Sequence, residues 1–182
     1  MGIFAQLQAL FRTPTPPPTP VAPPKVAASM APVGEERRQR PRVNAREGTR
    51  VLIIDDSKTI LTVLRKFLRS AGYETSEALD AESGLASLPS QRPELIFLDI
   101  VLPGMNGFAA LRAIRRDPAT RDIPVIMMSG NEQAMEQFFG SRISADDFMK
   151  KPFSRQEMFF HIERLLDDQQ IPRRAAARHA EA

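Results

Sequence analysis

Apolar residues in the middle of this chain follow two alternating rhythms: short unbroken runs bounded by turn residues, and stretches in which they recur every three or four positions. The first kind reads as buried strands of a parallel sheet and the second as amphipathic helices. Val51-Leu52-Ile53-Ile54 is the first run; Ser57 then offers an N-cap to a helix in which Ile60, Leu61, Leu64 and Leu68 share a face, and Gly72 stops it. Residues 73–78 predict the second strand and 81–88 the second helix. Leu95-Ile96-Phe97-Leu98-Asp99 is the third strand, followed by a turn-rich loop and a helix over 107–116. A strand at 124–128, a short helix at 132–139 and a strand at 146–149 come next. The last helix, 154–167, turns Met158, Phe159, Ile162, Leu165 and Leu166 inward. Five such units predict an α/β fold, a doubly wound five-stranded parallel sheet.

Outside 49–168 this alternation stops. Nine of the 16 prolines precede residue 49, most of them within 13–24, a composition that cannot pack a core and favours an extended polyproline II spacer. Residues 35–47 are polar and Arg-rich, so 13–48 reads as a disordered linker, first Pro-rich and then Arg-rich. Ahead of it, Ile3, Phe4, Leu7, Leu10 and Phe11 would line one face of a helix within 1–12. That segment is too short to be stable alone, so it is expected to form on an anchoring partner, a protein groove in preference to a membrane surface. Residues 169–182 predict a basic disordered tail, with no output domain after Asp168.

Charge sharpens this division. The net charge is +3, but residues 1–48 carry seven Lys/Arg against three acids and residues 169–182 three against one, so the middle is −3. A basic balance made by the flanks is no sign of a nucleic-acid-binding domain, and none is expected. The absence of Cys excludes disulfides and thiolate metal sites. No apolar run approaches the roughly 20 residues of a membrane span. The expected location is cytoplasmic, with 1–12 able to tether the chain to a membrane-associated complex.

Candidate chemistry collects at the strand ends. Asp55 and Asp56 end the first strand, Asp99 the third, Ser129 the fourth, and Lys151, just before Pro152, the fifth. In a parallel sheet all carboxyl ends lie on one edge, so these five converge. Three carboxylates there repel one another, and a hard divalent cation, Mg²⁺, resolves the conflict. Lys151 supplies a point charge and Ser129 a hydroxyl donor to phosphoryl oxygens, which leaves Asp99 as a nucleophile that forms an acyl phosphate. Singly, Asp56 reads equally well as an acid at a helix N-terminus, Ser129 as an N-cap and Lys151 as a solvated charge. Together, at five matching strand ends, they read as a site.

With these residues in place, the chain over 49–168 resembles the receiver domain of response regulators. The resemblance is carried by the Asp55-Asp56 pair, Asp99 followed by Pro103-Gly104 and Gly107, the Ser129-Gly130 pair, and Lys151-Pro152-Phe153. It implies the flavodoxin-like receiver fold with strand order 2-1-3-4-5. It also implies a two-component phosphorelay in which Asp99 takes a phosphoryl group from a histidine kinase. Mg²⁺ would be held by Asp55, Asp56, Asp99 and the backbone carbonyl of Val101, with Ser129 and Lys151 contacting the phosphate. Phe148 falls where the family carries its aromatic switch residue, often Tyr, and it lacks the hydroxyl. The stretch Asp55-Asp56-Ser57-Lys58-Thr59-Ile60 and the Lys-Pro-Phe-Ser ending are similar to receivers of chemotaxis-like systems that govern type IV pilus twitching. On this reading the chain is no enzyme but a signalling module, which binds a downstream target through the face formed by the last strand and its flanking helices. Two alternatives are a phosphorylation-independent interaction module with a vestigial acidic pocket, and a Mg²⁺-dependent phosphohydrolase. The latter lacks a general acid two residues after Asp99, where Val101 stands.

Overall fold

The computed structural model describes residues 42–140 and 145–174; the segment 1–12, most of the linker and 175–182 lie outside the described residues. Its sheet contains β1 (Arg50–Ile54), β2 (Glu74–Ala78), β3 (Leu95–Asp99), β4 (Val125–Ser129) and β5 (Asp147–Lys150), all parallel and in the order β2-β1-β3-β4-β5. The helices are α1 (Lys58–Arg69), α2 (Ala81–Gln91), α3 (Gly107–Arg116), α4 (Glu132–Gly140) and α5 (Arg155–Glu163). This is the architecture and strand order that the pattern and the resemblance imply.

Alternation along each strand builds two cores. Val51, Ile53, Phe97, Ile126 and Met128 pack with Leu61, Leu64 and Leu68 of α1 and Met158, Phe159 and Ile162 of α5. Leu52, Ile54, Ile96, Leu98 and Met127 pack with Ala81 and Leu88 of α2, Leu111 and Ile114 of α3, and Ala134 of α4. The central strands β1, β3 and β4 are buried on both faces, which is why they read as unbroken apolar runs. Each helix starts where a side chain replaces the missing backbone acceptor. Ser57, Asp80 and Asn106 accept from Ile60, Ser83 and Ala109, and Ser154 forms a reciprocal capping box with Glu157.

Both boundaries differ from the sequence expectation. α5 ends at Glu163 rather than Asp167, because the Asp167 carboxylate accepts the N–H groups of Gln169 and Ile171, each at 2.9 Å, and reverses the chain. Leu166 then bridges to Pro172, and Arg174 Nε reaches Asp146 Oδ1 at 3.2 Å, so 169–174 belongs to the folded domain and not to a disordered tail. At the other boundary the domain begins before residue 49. Ala45 is buried, and its N–H donates to Tyr73 Oη at 2.9 Å. Arg46 pairs with Glu94, and its N–H donates to the Gln170 carbonyl at 3.1 Å, joining the two flanks to each other. Composition alone hides such contacts, because Arg-rich segments look solvated until their acids are found.

Candidate functional site

The carboxyl ends of β1, β3, β4 and β5 form one polar pocket. Directly after β1, Asp55 is fixed from two sides: its N–H donates to the Ala78 carbonyl at 3.1 Å, and its Oδ1 accepts from Ser57 N at 3.0 Å as the chain turns into α1. Asp99 closes β3, and its Oδ1 accepts from Val101 N at 3.3 Å. Both aspartates are buried, whereas Asp56 is exposed at the rim. Gly107 lets α3 start directly against β3, since a Cβ there would lie 2.0 Å from the Asp99 carbonyl oxygen. Gly104, at φ +70°, takes the left-handed turn that brings the intervening loop back.

Lys151 reaches this pocket from beyond β5. Its N–H donates to the Ser129 carbonyl at 2.8 Å, and its Nζ sits 2.6 Å from Asp55 Oδ2 and 2.9 Å from Asp99 Oδ2. The Lys151–Pro152 peptide is cis. Ser129 Oγ is buried and accepts from Asn131 N at 3.1 Å, and its proton has no acceptor among the described residues. Asp55 Oδ2 meets Lys151 as a charge but without hydrogen-bond geometry, so it is a buried carboxylate oxygen with no hydrogen-bond partner. Burial pushes the Asp99 carboxyl above its ordinary range; the hydrogen bond and charge of Lys151 pull it back, and the charge of Asp55 adds to the rise.

This donor set fits a hard cation. Asp55, Asp56 and Asp99 each offer an oxygen within 4.8 Å of the others. Three carboxylates face the single ammonium of Lys151, and the unbonded Asp55 Oδ2 is the kind of acceptor that a divalent ion satisfies. Val101 stands exposed on the loop above. Phe148 is half-buried, its ring centroid is 5.0 Å from that of Phe138, and it lines a groove of about 420 Å³ that also takes in Lys151, Phe153 and His161. A larger surface hollow, about 530 Å³, lies between α1 and the β2–α2 turn and includes none of the five pocket residues.

One contact at the pocket was invisible in the sequence. Glu82, in the first turn of α2, accepts the N–H of Met105 at 3.0 Å and so holds the loop that follows Asp99. In the sequence it is only an acid at a helix start, which needs no further reason. His161 on α5 has a partner that the sequence does not show either: its Nδ1 lies 2.9 Å from Asp147 Oδ2.

Comparison with known proteins places this geometry. Residues 51–163 match the family described as "Response regulator receiver domain". The chain is 38% identical over 133 residues to the DNA-binding dual master transcriptional regulator RpaA of Synechocystis, which covers 72% of this chain and 54% of RpaA. It thus spans about half the length of that regulator. It is 33% identical over 117 residues to Protein PilH of Pseudomonas aeruginosa, covering 64% of this chain and 97% of PilH. Among solved structures it is similar to the receiver domain of the P. aeruginosa sensor histidine kinase PA1611, which has a magnesium ion coordinated in its active site cleft. That match has a TM-score of 0.56 at 30% identity and covers 61% of this chain and 91% of that one.

Proposed function

The chain belongs to the response regulator receiver domain family, and from that premise we propose that Asp99 accepts a phosphoryl group from the phosphohistidine of a histidine kinase. An Asp99 carboxylate oxygen attacks phosphorus, an O–P bond forms as the N–P bond breaks, and the imidazole leaves with the electron pair. Lys151 Nζ, already 2.9 Å from Asp99 Oδ2, exchanges that contact for a phosphoryl oxygen, and the free proton of Ser129 Oγ goes to another. Asp55, Asp56, Asp99 and the Val101 carbonyl would hold Mg²⁺, which when bound neutralises charge on the phosphoryl oxygens.

The observation that carries this reading is the single ammonium of Lys151 shared by two buried carboxylates, one of which keeps an oxygen without a hydrogen bond. Incubation with acetyl phosphate and Mg²⁺ should add one phosphoryl mass to the wild type and none to Asp99→Asn. An unchanged wild-type mass with several donors would sink the proposal.

Transfer to Asp99 draws Ser129 and Lys151 toward a new dianion. Phe148, three residues before Lys151 and stacked near Phe138, is the side chain through which that movement reaches the β5 face and a downstream target. The likeness to PilH favours a role in chemotaxis-like or pilus-based motility. Residues 1–12, joined by the Pro-rich linker, would anchor the domain near its partners and raise its effective concentration there. Chemical-shift mapping with a phosphate mimic should show changes at Phe148 and α4; changes confined to the loops around Asp99 would remove the switch from the proposal.

A further inference from the structure

Apart from Asp99, whose Oδ1 accepts from Val101 N at the loop's start, Glu82 is the one side chain outside the loop 100–105 that hydrogen-bonds it, among the described residues. We infer that Glu82 is a positioning residue for the cation site, acting through the peptide of Met105; this rests on the Mg²⁺ reading given above.

The loop leaves the pocket at Asp99 and returns at Gly107, whose N–H donates to the Ile100 carbonyl at 2.9 Å. Those two ends are fixed, because Ile100 N also donates to the Met128 carbonyl at 2.9 Å and Gly107 abuts the Asp99 backbone. Between them Leu102 is buried, but Val101 is 52% exposed and its carbonyl accepts no hydrogen bond among the described residues. Asp99 Oδ1 holds Val101 N at 3.3 Å, but no hydrogen bond among the described residues reaches the Val101–Leu102 peptide itself. Glu82 supplies the restraint: its Oε1 accepts Met105 N at 3.0 Å, and a Cβ at Gly104 would come 2.9 Å from the same oxygen. The left-handed Gly104, at φ +70°, is what lets the loop approach the carboxylate so closely. A cation that demands near-octahedral oxygen geometry is sensitive to the angle of each donor, so a clamp on the donor loop acts on affinity even from outside the coordination shell.

The hydrogen bond needs an acceptor oxygen and not a charge, which separates the role from simple electrostatics. Glu82→Ala should raise the Mg²⁺ concentration for half-maximal binding by about tenfold, read from NMR titration of the pocket amides, with the unfolding midpoint of the metal-free protein nearly unchanged. Glu82→Gln keeps a side-chain carbonyl and should stay close to wild type. Gly104→Ala should repeat the Ala effect. Hydrogen exchange at Val101, Met105 and Asn106 without Mg²⁺ reads the clamp alone: it should speed up in Glu82→Ala and not in Glu82→Gln. Unaltered exchange in Glu82→Ala would overturn the inference even if Mg²⁺ binding weakened, and so would Mg²⁺ binding in that variant as tight as in the wild type. Equal Mg²⁺ shifts in the Ala and Gln variants would overturn it in favour of charge. Failure of wild type to bind Mg²⁺, with exchange changed as expected, would count against the cation reading and leave only a loop restraint, which also overturns the assignment.

Discussion

Lys151 Nζ lies 2.9 Å from Asp99 Oδ2, and the same ammonium lies 2.6 Å from Asp55 Oδ2. One cation therefore offsets two buried carboxylates, and removing it leaves both in low dielectric without compensation. Lys151→Ala should lower stability by roughly 3 kcal/mol at neutral pH, the scale on which a broken buried pair is felt. Urea unfolding in the absence of divalent ions checks this. Added Mg²⁺ should recover part of the loss, since it replaces the missing positive charge, whereas Na⁺ at matched ionic strength should not.

The raised pKa of Asp99 sets a pH dependence of definite sign. The folded protein holds the proton more tightly than the unfolded chain, so the associated stability is fully present below the ordinary carboxylate range and is lost as pH rises through the elevated value of the folded state. Asp99→Asn cannot ionise and escapes that loss. At neutral pH without Mg²⁺ its unfolding midpoint should exceed the wild type's by roughly 2–4 °C, which for a domain of this size corresponds to about 1 kcal/mol. The gap should close as the pH is taken below 4. A gap that widens on acidification would reverse the sign of the argument.

The strand ends were legible because topology alone makes them converge: Asp55, Asp99 and Ser129 close or follow apolar runs, Lys151 follows the short β5, and a parallel sheet leaves them no other edge. The cores were legible for a related reason, since Ile53 and Leu64 or Leu98 and Leu111 sit on faces set by periods of 2 and 3.6 residues. What stayed hidden depends on contacts between distant segments with no period of their own. Glu82 meets Met105 across 23 positions, and Arg174 meets Asp146 across 28. The polar strand β2 shows the other limit. Its Thr75 and Ser76 are only half-buried at the sheet edge, and Tyr73 before it, read as part of the strand, instead anchors Ala45 with its hydroxyl.

Asp56 offers a clean separation of metal binding from folding. It is exposed at the rim, so Asp56→Ala should change metal-free stability by less than about 0.5 kcal/mol. Mg²⁺ at tenfold above its dissociation constant should stabilise the wild type by about 1.4 kcal/mol, through preferential binding to the folded state. That increment should vanish in Asp56→Ala. Thermal melts of both proteins with and without Mg²⁺ supply the four values needed, and an undiminished Mg²⁺ shift in the variant would remove Asp56 from the ligand set.

The flanking arms make a last prediction, because they turn the domain boundary into an energetic quantity. The Asp146 side chain is 1% exposed and sits between two guanidiniums, Arg115 Nη2 at 2.7 Å and Arg174 Nε at 3.2 Å, while its Oδ2 also accepts from Val125 N at 2.8 Å. Burial pushes the Arg115 pKa down to about 10, opposed by the charge of Asp146. Arg174→Ala leaves Asp146 with Arg115 and the Val125 N–H, so its cost should stay near 1–2 kcal/mol. Asp146→Ala removes a buried carboxylate that lies between two cations and should cost about 3 kcal/mol or more. A chain ending at Asp168 loses Arg174, the Leu166–Pro172 bridge and the Gln170 carbonyl that receives Arg46 N–H, and should be less stable than Arg174→Ala alone. One that starts at Gly48 loses buried Ala45 and the Arg46–Glu94 pair, a cost of roughly 2 kcal/mol. Because Arg46 N and Gln170 O join the arms directly, the two truncations should not add: either one already breaks that bond, and the double truncation should cost less than the sum. Chemical denaturation of the four chains measures the coupling, and strict additivity would show that the arms dock independently of each other.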